Sequence, residues 1–219
     1  MSDALIELKG LQYAYPGRPP LLWGLDLTLQ AGERVGVTGA NGTGKSTLLH
    51  LIVGLRQPTG GEVRVAGLAR RQDSDFEDVR RRVGLLFQDP DDQLFCTTVE
   101  EDLAFGPFNL GLPRAEVERR VATTLDRLAI PHLRERITYR LSEGEKRLVS
   151  LGTLLTMEPE ALLLDEPTNG LDDAARARLI GLLRGLPQTL ILVSHDHAFV
   201  ADLATRRVRL ADGRLHAAP

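Results

Sequence analysis

A glycine-rich segment that ends in a lysine and two hydroxyl residues is the strongest chemical signal in this chain. It reads Gly39-Ala40-Asn41-Gly42-Thr43-Gly44-Lys45-Ser46-Thr47 and matches the pattern G-x-x-x-x-G-K-[ST] at every required position. Glycines let the backbone curl so that successive N–H groups surround phosphate oxygens. The lysine of such a loop reaches the β- and γ-phosphates, and the next hydroxyl binds Mg²⁺. The segment therefore predicts a nucleoside triphosphate site.

A pair of acids, Asp165 and Glu166, follows the apolar run Ala161–Leu164. A buried strand delivers its terminal acids to the carboxyl edge of a parallel sheet, where ligands bind in such folds. The first acid can then hold Mg²⁺ and the second can act as general base toward water. The alternative is a strand that ends at a solvated acidic turn. The phosphate loop favours the catalytic interpretation.

The elements around the phosphate loop fit its chemistry. Residues 33–38 alternate as a strand does, and apolar residues after Lys45 recur at helical spacing. A helix that begins at Lys45 directs its positive N-terminus at the phosphates. Further along, residues 90–158 are dominated by helical periodicity, whereas the segments on both sides read as strands and helices. The pattern predicts an α/β protein with a helical insertion over about residues 90–158.

The composition of the chain limits which partners and which cellular compartment are expected. The chain has 219 residues with 42% hydrophobic and 26% charged side chains, and its net charge is −3, so nothing favours nucleic acid as a partner. Cys96 is the only cysteine, which excludes a disulfide within the chain and suggests a reducing compartment. The N-terminus lacks a secretory signal pattern, and no apolar run is long enough to cross a bilayer. We expect any membrane role to come through a partner and not through direct insertion.

Ser142 and Glu145 have the spacing of a capping box at the start of a helix. Taken alone, this spacing indicates only a helix start. Its position shortly before Asp165 gives it more weight, because the chain then carries six motifs in one order. They are the phosphate loop Gly39–Thr47, Gln88 after an apolar strand, Leu141–Glu145, Leu162–Glu166, Gly170–Asp172 and His195 within Ser194–Asp196.

In this order the motifs resemble those of the ABC ATPases over essentially the whole chain. The resemblance implies a phosphate-loop NTPase fold with a RecA-like core at about 1–89 and 159–219, an antiparallel β subdomain and a helical subdomain at about 90–158. It also implies two ATP molecules held between two subunits, with a homodimer favoured. The cofactors are then ATP and Mg²⁺.

The same resemblance assigns roles to single residues. Glu166 is then the general base, His195 orients the γ-phosphate and water, and Gln88 senses the γ-phosphate. Mg²⁺ is held by Ser46, Gln88 and Asp165. Ser142 and the Gly144 backbone face the nucleotide of the partner subunit, with Asp172 in the D-loop. Tyr15 stacks on adenine, although Tyr13 is an alternative because alternation puts both on one strand face.

Two residues depart from the family pattern in the signature segment. The family usually has glycine where this chain has Glu143, and glutamine where it has Glu145. A positive φ at position 143 would strain a non-glycine residue, and a carboxylate beside a γ-phosphate would repel it. We expect Glu143 to point away from the nucleotide while Ser142 and Gly144 keep the contact.

The segment Gln88–Phe95, followed by Thr97–Asp102 and Phe105–Pro107, resembles the ATPases of energy-coupling factor (ECF) importers. Residues Glu143–Ser150 look most like the cobalt and nickel branch. The resemblance implies integral membrane partners for coupling and substrate binding, and a peripheral location on the cytoplasmic face of the membrane. An ECF ATPase for a vitamin such as biotin, or a soluble ABC ATPase without a transport role, are the alternatives.

Four further features keep more than one interpretation each. The acids Asp89, Asp91 and Asp92 suit a groove for basic helices of a membrane partner, or form a solvated loop. Gln88 is either the γ-phosphate sensor or simply the end of a strand. His195 is a structural turn residue or one half of a metal pair with His197, if it is not catalytic. The arginines at 70–71 and 80–82 form a solvated face more readily than a lipid-binding patch.

Overall fold

The structure is a computed structural model that describes residues 4–218, so the extreme N-terminus and its missing signal pattern lie outside the described residues. Within that range the chain forms ten strands and seven α-helices. The strands are β1 (Ile6–Ala14), β2 (Pro20–Leu29), β3 (Arg34–Thr38), β4 (Gly60–Val65), β5 (Leu68–Arg70), β6 (Val83–Leu86), β7 (Ala161–Asp165), β8 (Thr189–Val193), β9 (Arg206–Ala211) and β10 (Arg214–Ala217). The helices are α1 (Lys45–Ile52), α2 (Phe76–Arg82), α3 (Val99–Asn109), α4 (Arg114–Arg127), α5 (Glu143–Leu155), α6 (Asp173–Arg184) and α7 (His197–Leu203).

A six-stranded sheet carries the phosphate loop and the paired acids. Its order is β10-β9-β3-β8-β7-β6, with β3 parallel to both β8 and β9, β7 parallel to β8, and β10 antiparallel to β9. Every residue of β7 and β8 is buried, which explains why both strands read as unbroken apolar runs. Because β3, β7 and β8 run in parallel, their carboxyl ends meet at one edge of the sheet.

The second sheet is antiparallel throughout and has the order β2-β1-β4-β5. The register of β1 with β2 shifts three times between Leu8 and Ala14, and Gly10 has a φ of 54°. A β-bulge of this kind bends a strand and redirects the side chains beyond it. Tyr13 lies within this irregular part of β1, and Tyr15 follows the end of the strand.

The chain separates into two compact units. One contains residues 4–85, 160–166 and 187–218, and the other contains residues 86–159 and 167–186. The second unit is larger than the helical insertion predicted for about 90–158, because it also includes residues 167–186 with α6. The reason is visible in its contacts: Arg178 of α6 donates hydrogen bonds to the carbonyls of Leu128 and Ala129, at 2.6 and 2.8 Å.

In the second unit, α3 packs against α4 and α5. A side chain at Gly152 of α5 would place its Cβ 2.7 Å from Leu103 Cδ2, so any larger residue there would force the end of the Leu103 side chain to shift. Reciprocal capping boxes start two of these helices, Thr98 with Glu101 at α3 and Ser142 with Glu145 at α5. The capping box predicted at Ser142 is thus present and begins α5.

Candidate functional site

The phosphate loop connects the end of β3 to the start of α1. Its glycines adopt backbone conformations that other residues avoid, with φ of 150° at Gly39, 80° at Gly42 and 101° at Gly44. A Cβ at Gly39 would also lie 2.5 Å from the carbonyl oxygen of Leu210. The glycines at these positions are therefore required by local geometry, as the sequence pattern predicts.

Lys45 is the first residue of α1, and its side chain folds back over the loop. Only 7% of it is exposed, and Nζ donates hydrogen bonds to the carbonyls of Gly39 and Ala40 at 3.0 and 3.2 Å. The ammonium group is thus fixed inside the curl at the positive end of a helix. An anion entering the loop meets this charge and the backbone N–H groups together, which is the arrangement that binds phosphate.

Ser46 and Asp165 form the oxygen-rich part of the first unit's site. A hydrogen bond from Ser46 reaches Asp165, which is only 3% exposed. Burial raises the pKa of Asp165 above its usual value, while the Ser46 hydrogen bond and the charges of His50 and Lys45 act in the opposite direction. Its Oδ1 is buried without a hydrogen-bond partner. An unsatisfied carboxylate oxygen beside a hydroxyl fits Mg²⁺, which prefers hard oxygen ligands.

Glu166 lies at the end of β7 in a rare backbone conformation, with a φ of 45°. Only 5% of the residue is exposed, and Oε2 accepts three hydrogen bonds: from Ser194 Oγ at 3.1 Å, from the backbone N–H of His195 at 3.2 Å, and at 2.9 Å from His195 Nδ1 when that nitrogen is protonated. Strained residues of this kind concentrate at functional sites. The carboxylate is held in one orientation by the residues that follow β8.

Sequence reasoning missed Ser194. It is fully buried, donates to Glu166, and also accepts from the N–H of Asp196 at 3.1 Å. The sequence does contain a signal for Ser194, which lies directly after the apolar strand β8 and before His195. Because β8 and β7 are parallel, residues that follow them lie at the same edge of the sheet. His195 keeps a side chain that is largely exposed, while His197 is the first residue of α7.

Tyr15 lies within the same unit, with its hydroxyl 3.0 Å from Thr47 Oγ1 of α1. The guanidinium of Arg56 sits 4.8 Å from the centre of its ring, within cation–π range. Tyr13 is buried, and its hydroxyl accepts a hydrogen bond from Arg56 at 3.2 Å. The more accessible ring is that of Tyr15, which favours it over Tyr13 as the adenine-stacking residue.

The second unit contains the residues predicted to form the signature segment. Ser142 donates to Glu145 Oε2 through both its N–H and its hydroxyl, each at 2.8 Å, and these bonds hold the pKa of Glu145 below its usual value. Glu143 is the first residue of α5 and does not have a positive φ, so the strain considered for this position is absent. Its Oε1 lies 3.8 Å from Arg147, one helical turn further along.

Ser142, Glu143 and Gly144 line an open pocket of about 470 Å³, together with Leu171, Asp172 and Ala175. Asp172 caps α6 by accepting a hydrogen bond from the N–H of Ala175 at 2.7 Å. The second unit thus brings together the predicted signature residues and the predicted D-loop residue around one cavity. Gln88, also in this unit, follows β6 and has an exposed side chain.

Several known proteins are similar to this chain in sequence and fold. Residues 22–169 match the family model described as ABC transporter. The energy-coupling factor transporter ATP-binding protein EcfA of Methanothermobacter thermautotrophicus is 43% identical over 217 residues, covering 96% of this chain and 69% of EcfA. The cobalt import ATP-binding protein CbiO of Rhodobacter capsulatus is 45% identical over 215 residues, covering 96% of this chain and 77% of CbiO.

A solved structure agrees with the sequence relatives. The protein cbiO1 of Clostridium perfringens, described as part of the ABC transporter complex cbiONQ, has a TM-score of 0.88 and 33% identity, covering 98% of this chain and 87% of cbiO1. The predicted ABC nucleotide-binding fold is confirmed. The family model spans more than half of the chain, and both relatives exceed 40% identity over nearly all of it. The chain therefore belongs to the ABC transporter family, as an ATP-binding protein whose ATP hydrolysis is coupled to transport.

Proposed function

We propose that the protein is the ATP-hydrolysing subunit of an ECF-type importer that energises uptake of a transition-metal ion, cobalt or nickel. The observation that carries the hydrolytic part is the convergence of Ser194 and His195 on one oxygen of Glu166, beside the buried Asp165. The ECF type and the metal ion are supported by the relatives named EcfA and CbiO.

The residues of the first unit have distinct tasks in this proposal. Lys45 and the loop N–H groups bind the β- and γ-phosphates, and Tyr15 stacks on adenine. Ser46 and Asp165 would hold Mg²⁺, with Gln88 completing the set, and the ion would supply positive charge toward the phosphate oxygens. Glu166 accepts a proton from the attacking water. His195 keeps that carboxylate oriented and faces the γ-phosphate.

A complete site requires two copies of the chain. The pocket around Ser142, Gly144 and Asp172 offers backbone N–H groups and a hydroxyl at the start of α5, which suit an anion. We propose that this pocket of one subunit covers the nucleotide bound at Lys45 of the other, and that the dimer is a homodimer. Glu143 is directed toward Arg147, which reduces its repulsion of a phosphate.

The membrane partner is expected to dock on the second unit. Phe95 and Phe105 are exposed and stack edge to face with centroids 4.7 Å apart, and Phe108 of α3 is exposed as well. Apolar rings on a surface mark interaction sites when they are clustered. The acids Asp89, Asp91 and Asp92 precede this cluster in sequence.

The structure separates those three acids. Asp89 accepts a hydrogen bond from the N–H of Asp91 at 2.9 Å and so caps a short turn. The carboxylate of Asp91 forms an ion pair with Lys146 of α5 at 2.6 Å. Asp92 is exposed, and no ion pair of its side chain is found among residues 4–218. Asp92 is therefore the acid best suited to a basic partner helix, whereas changing Asp91 would also disturb α5.

Replacing Asp92 with lysine is expected to weaken assembly with the membrane subunits by about tenfold or more, because like charges then face each other in the interface. The ATPase rate of the isolated subunit should stay unchanged. Co-purification with the membrane subunits, alongside ATPase assays, measures both effects. Asp126→Lys, at an exposed site on α4, is the matched control. Normal assembly and transport of the Asp92 variant would contradict the docking proposal.

The metal importer, the vitamin importer and the soluble ABC ATPase differ in the membrane proteins and the ligand that would co-purify with this subunit. Among residues 4–218, no helix is both long and apolar enough to cross a membrane. We propose a peripheral position on the cytoplasmic face, held by integral membrane subunits. Purification of the complex from membranes, followed by metal analysis of the retained ligand, tests the proposal. Bound cobalt or nickel supports it, a bound vitamin such as biotin assigns the vitamin alternative, and the absence of membrane proteins favours a soluble ABC ATPase.

A further inference from the structure

Arg147 of α5 is a buried, charged residue that has no role in the proposed site as described so far. Only 1% of this residue is exposed. Its Nη1 donates to the carbonyl of Phe87 at 2.9 Å, and its Nη2 donates to the carbonyl of Gln88 at 2.8 Å. These two carbonyls lie just beyond the end of β6. One guanidinium therefore holds two consecutive peptide groups.

Burying a guanidinium is costly unless its donors are satisfied. Glu143, which forms an ion pair with it, is half exposed and lies 3.8 Å away, which is beyond hydrogen-bond distance. The carbonyls of Phe87 and Gln88 satisfy donors on both terminal nitrogens of this guanidinium. Arginine suits this task because its planar fork presents parallel donors, which the single ammonium of lysine cannot reproduce.

Two neighbouring side chains reinforce the same connection. Gln93 donates through Nε2 to the Ser150 carbonyl and to Thr153 Oγ1, both at 2.8 Å, while its Oε1 accepts from the N–H of Phe87 at 3.2 Å. Lys146 pairs with Asp91 at 2.6 Å. The segment from residue 87 to residue 93 is thus tied to α5 at several points. The side chain of Gln88 remains exposed while its backbone is fixed.

We infer that Arg147 is a positioning residue for Gln88: it clamps the Gln88 backbone to α5, so that Gln88 and the signature residue Ser142 move as one piece. This inference rests on the proposed role of Gln88 at the γ-phosphate and Mg²⁺. The clamp fixes where the Gln88 amide can reach, and a displacement of about 1 Å at a catalytic group is enough to reduce turnover markedly.

A double-mutant cycle tests this inference. Arg147→Lys is expected to lower kcat about tenfold with KM for ATP within about twofold of wild type, because nucleotide binding is left to the first unit. Gln88→Ala should lower kcat by at least as much. If Arg147 acts through Gln88, the double variant should have the kcat of Gln88→Ala alone within about twofold.

Arg120→Lys is the matched control, since Arg120 also donates to a backbone carbonyl of the second unit, that of Thr156, and should leave kcat unchanged. Arg147→Gln, measured in parallel, keeps one donor without a buried charge, so it serves if Arg147→Lys is unstable at the assay temperature. A double variant whose losses multiply, or an unchanged kcat in folded Arg147 variants, overturns the inference. An unchanged kcat for Gln88→Ala instead refutes the proposed role of Gln88. The inference that Arg147 positions Gln88 for that role is then refuted as well.

Discussion

Replacing Glu166 with glutamine is expected to lower ATP turnover by about 100-fold or more and to leave ATP binding intact. The carboxylate is buried and receives three hydrogen bonds on Oε2, so it is held ready to take a proton from water. An amide of the same shape can still accept from Ser194 but cannot act as a base. ATP should therefore bind, remain uncleaved and keep two subunits together.

Steady-state ATPase assays, nucleotide-binding measurements and size exclusion with ATP test this expectation together. The variant should elute as a dimer with ATP and as a smaller species without it. Glu77→Gln, an equivalent change at an exposed residue of α2, is the control and should behave as wild type. A Glu166→Gln protein that hydrolyses ATP at nearly the wild-type rate contradicts the assignment of the base.

Replacing Lys45 with alanine is expected to weaken ATP binding by about 100-fold or more, since charge-assisted hydrogen bonds to phosphate contribute about 1.5–3 kcal/mol each. The loss arises at the binding step because Nζ lies inside the loop, 3.0 and 3.2 Å from the carbonyls of Gly39 and Ala40. Without the ammonium group, these carbonyl oxygens would face the phosphates uncompensated.

Isothermal titration calorimetry with ATP and Mg²⁺ measures this loss. Lys9→Ala is the control, because Lys9 is an exposed lysine of β1 that pairs with Glu7. Circular dichroism should be alike for both variants. Wild-type affinity in the Lys45 variant would show that the loop does not hold the phosphates in the proposed way.

The parts of the site that sequence analysis could predict are those encoded locally. The phosphate loop is a contiguous segment whose glycines need positive φ values, so spacing alone identifies it. The position of Asp165 and Glu166 follows from the apolar run before them, because a strand buried on both faces must end at the sheet edge. The capping box at Ser142 is likewise a three-residue pattern.

Contacts between distant segments could not be predicted in this way. The bond from Ser194 to Glu166 joins residues 28 positions apart, and the bonds from Arg147 to residues 87 and 88 span about 60. The ion pair of Asp91 with Lys146 spans 55 positions and changes the interpretation of the acidic segment. Each depends on how separate elements pack, which hydrophobic periodicity does not specify. The contacts of Arg178 in α6 with the carbonyls of Leu128 and Ala129 depend on packing in the same way.

The central claim is that each ATP site combines Lys45 of one subunit with Ser142 of the other, and mixing two inactive variants tests it most directly. Lys45→Ala and Ser142→Ala should each be inactive alone, because every site in either homodimer lacks one of the two residues. Random pairing in an equal mixture creates heterodimers with one intact site each, so about a quarter of all sites are restored. We expect ATPase activity to reappear on mixing and to rise toward that fraction of the wild-type rate. A mixture that stays at the sum of its two components contradicts the shared site.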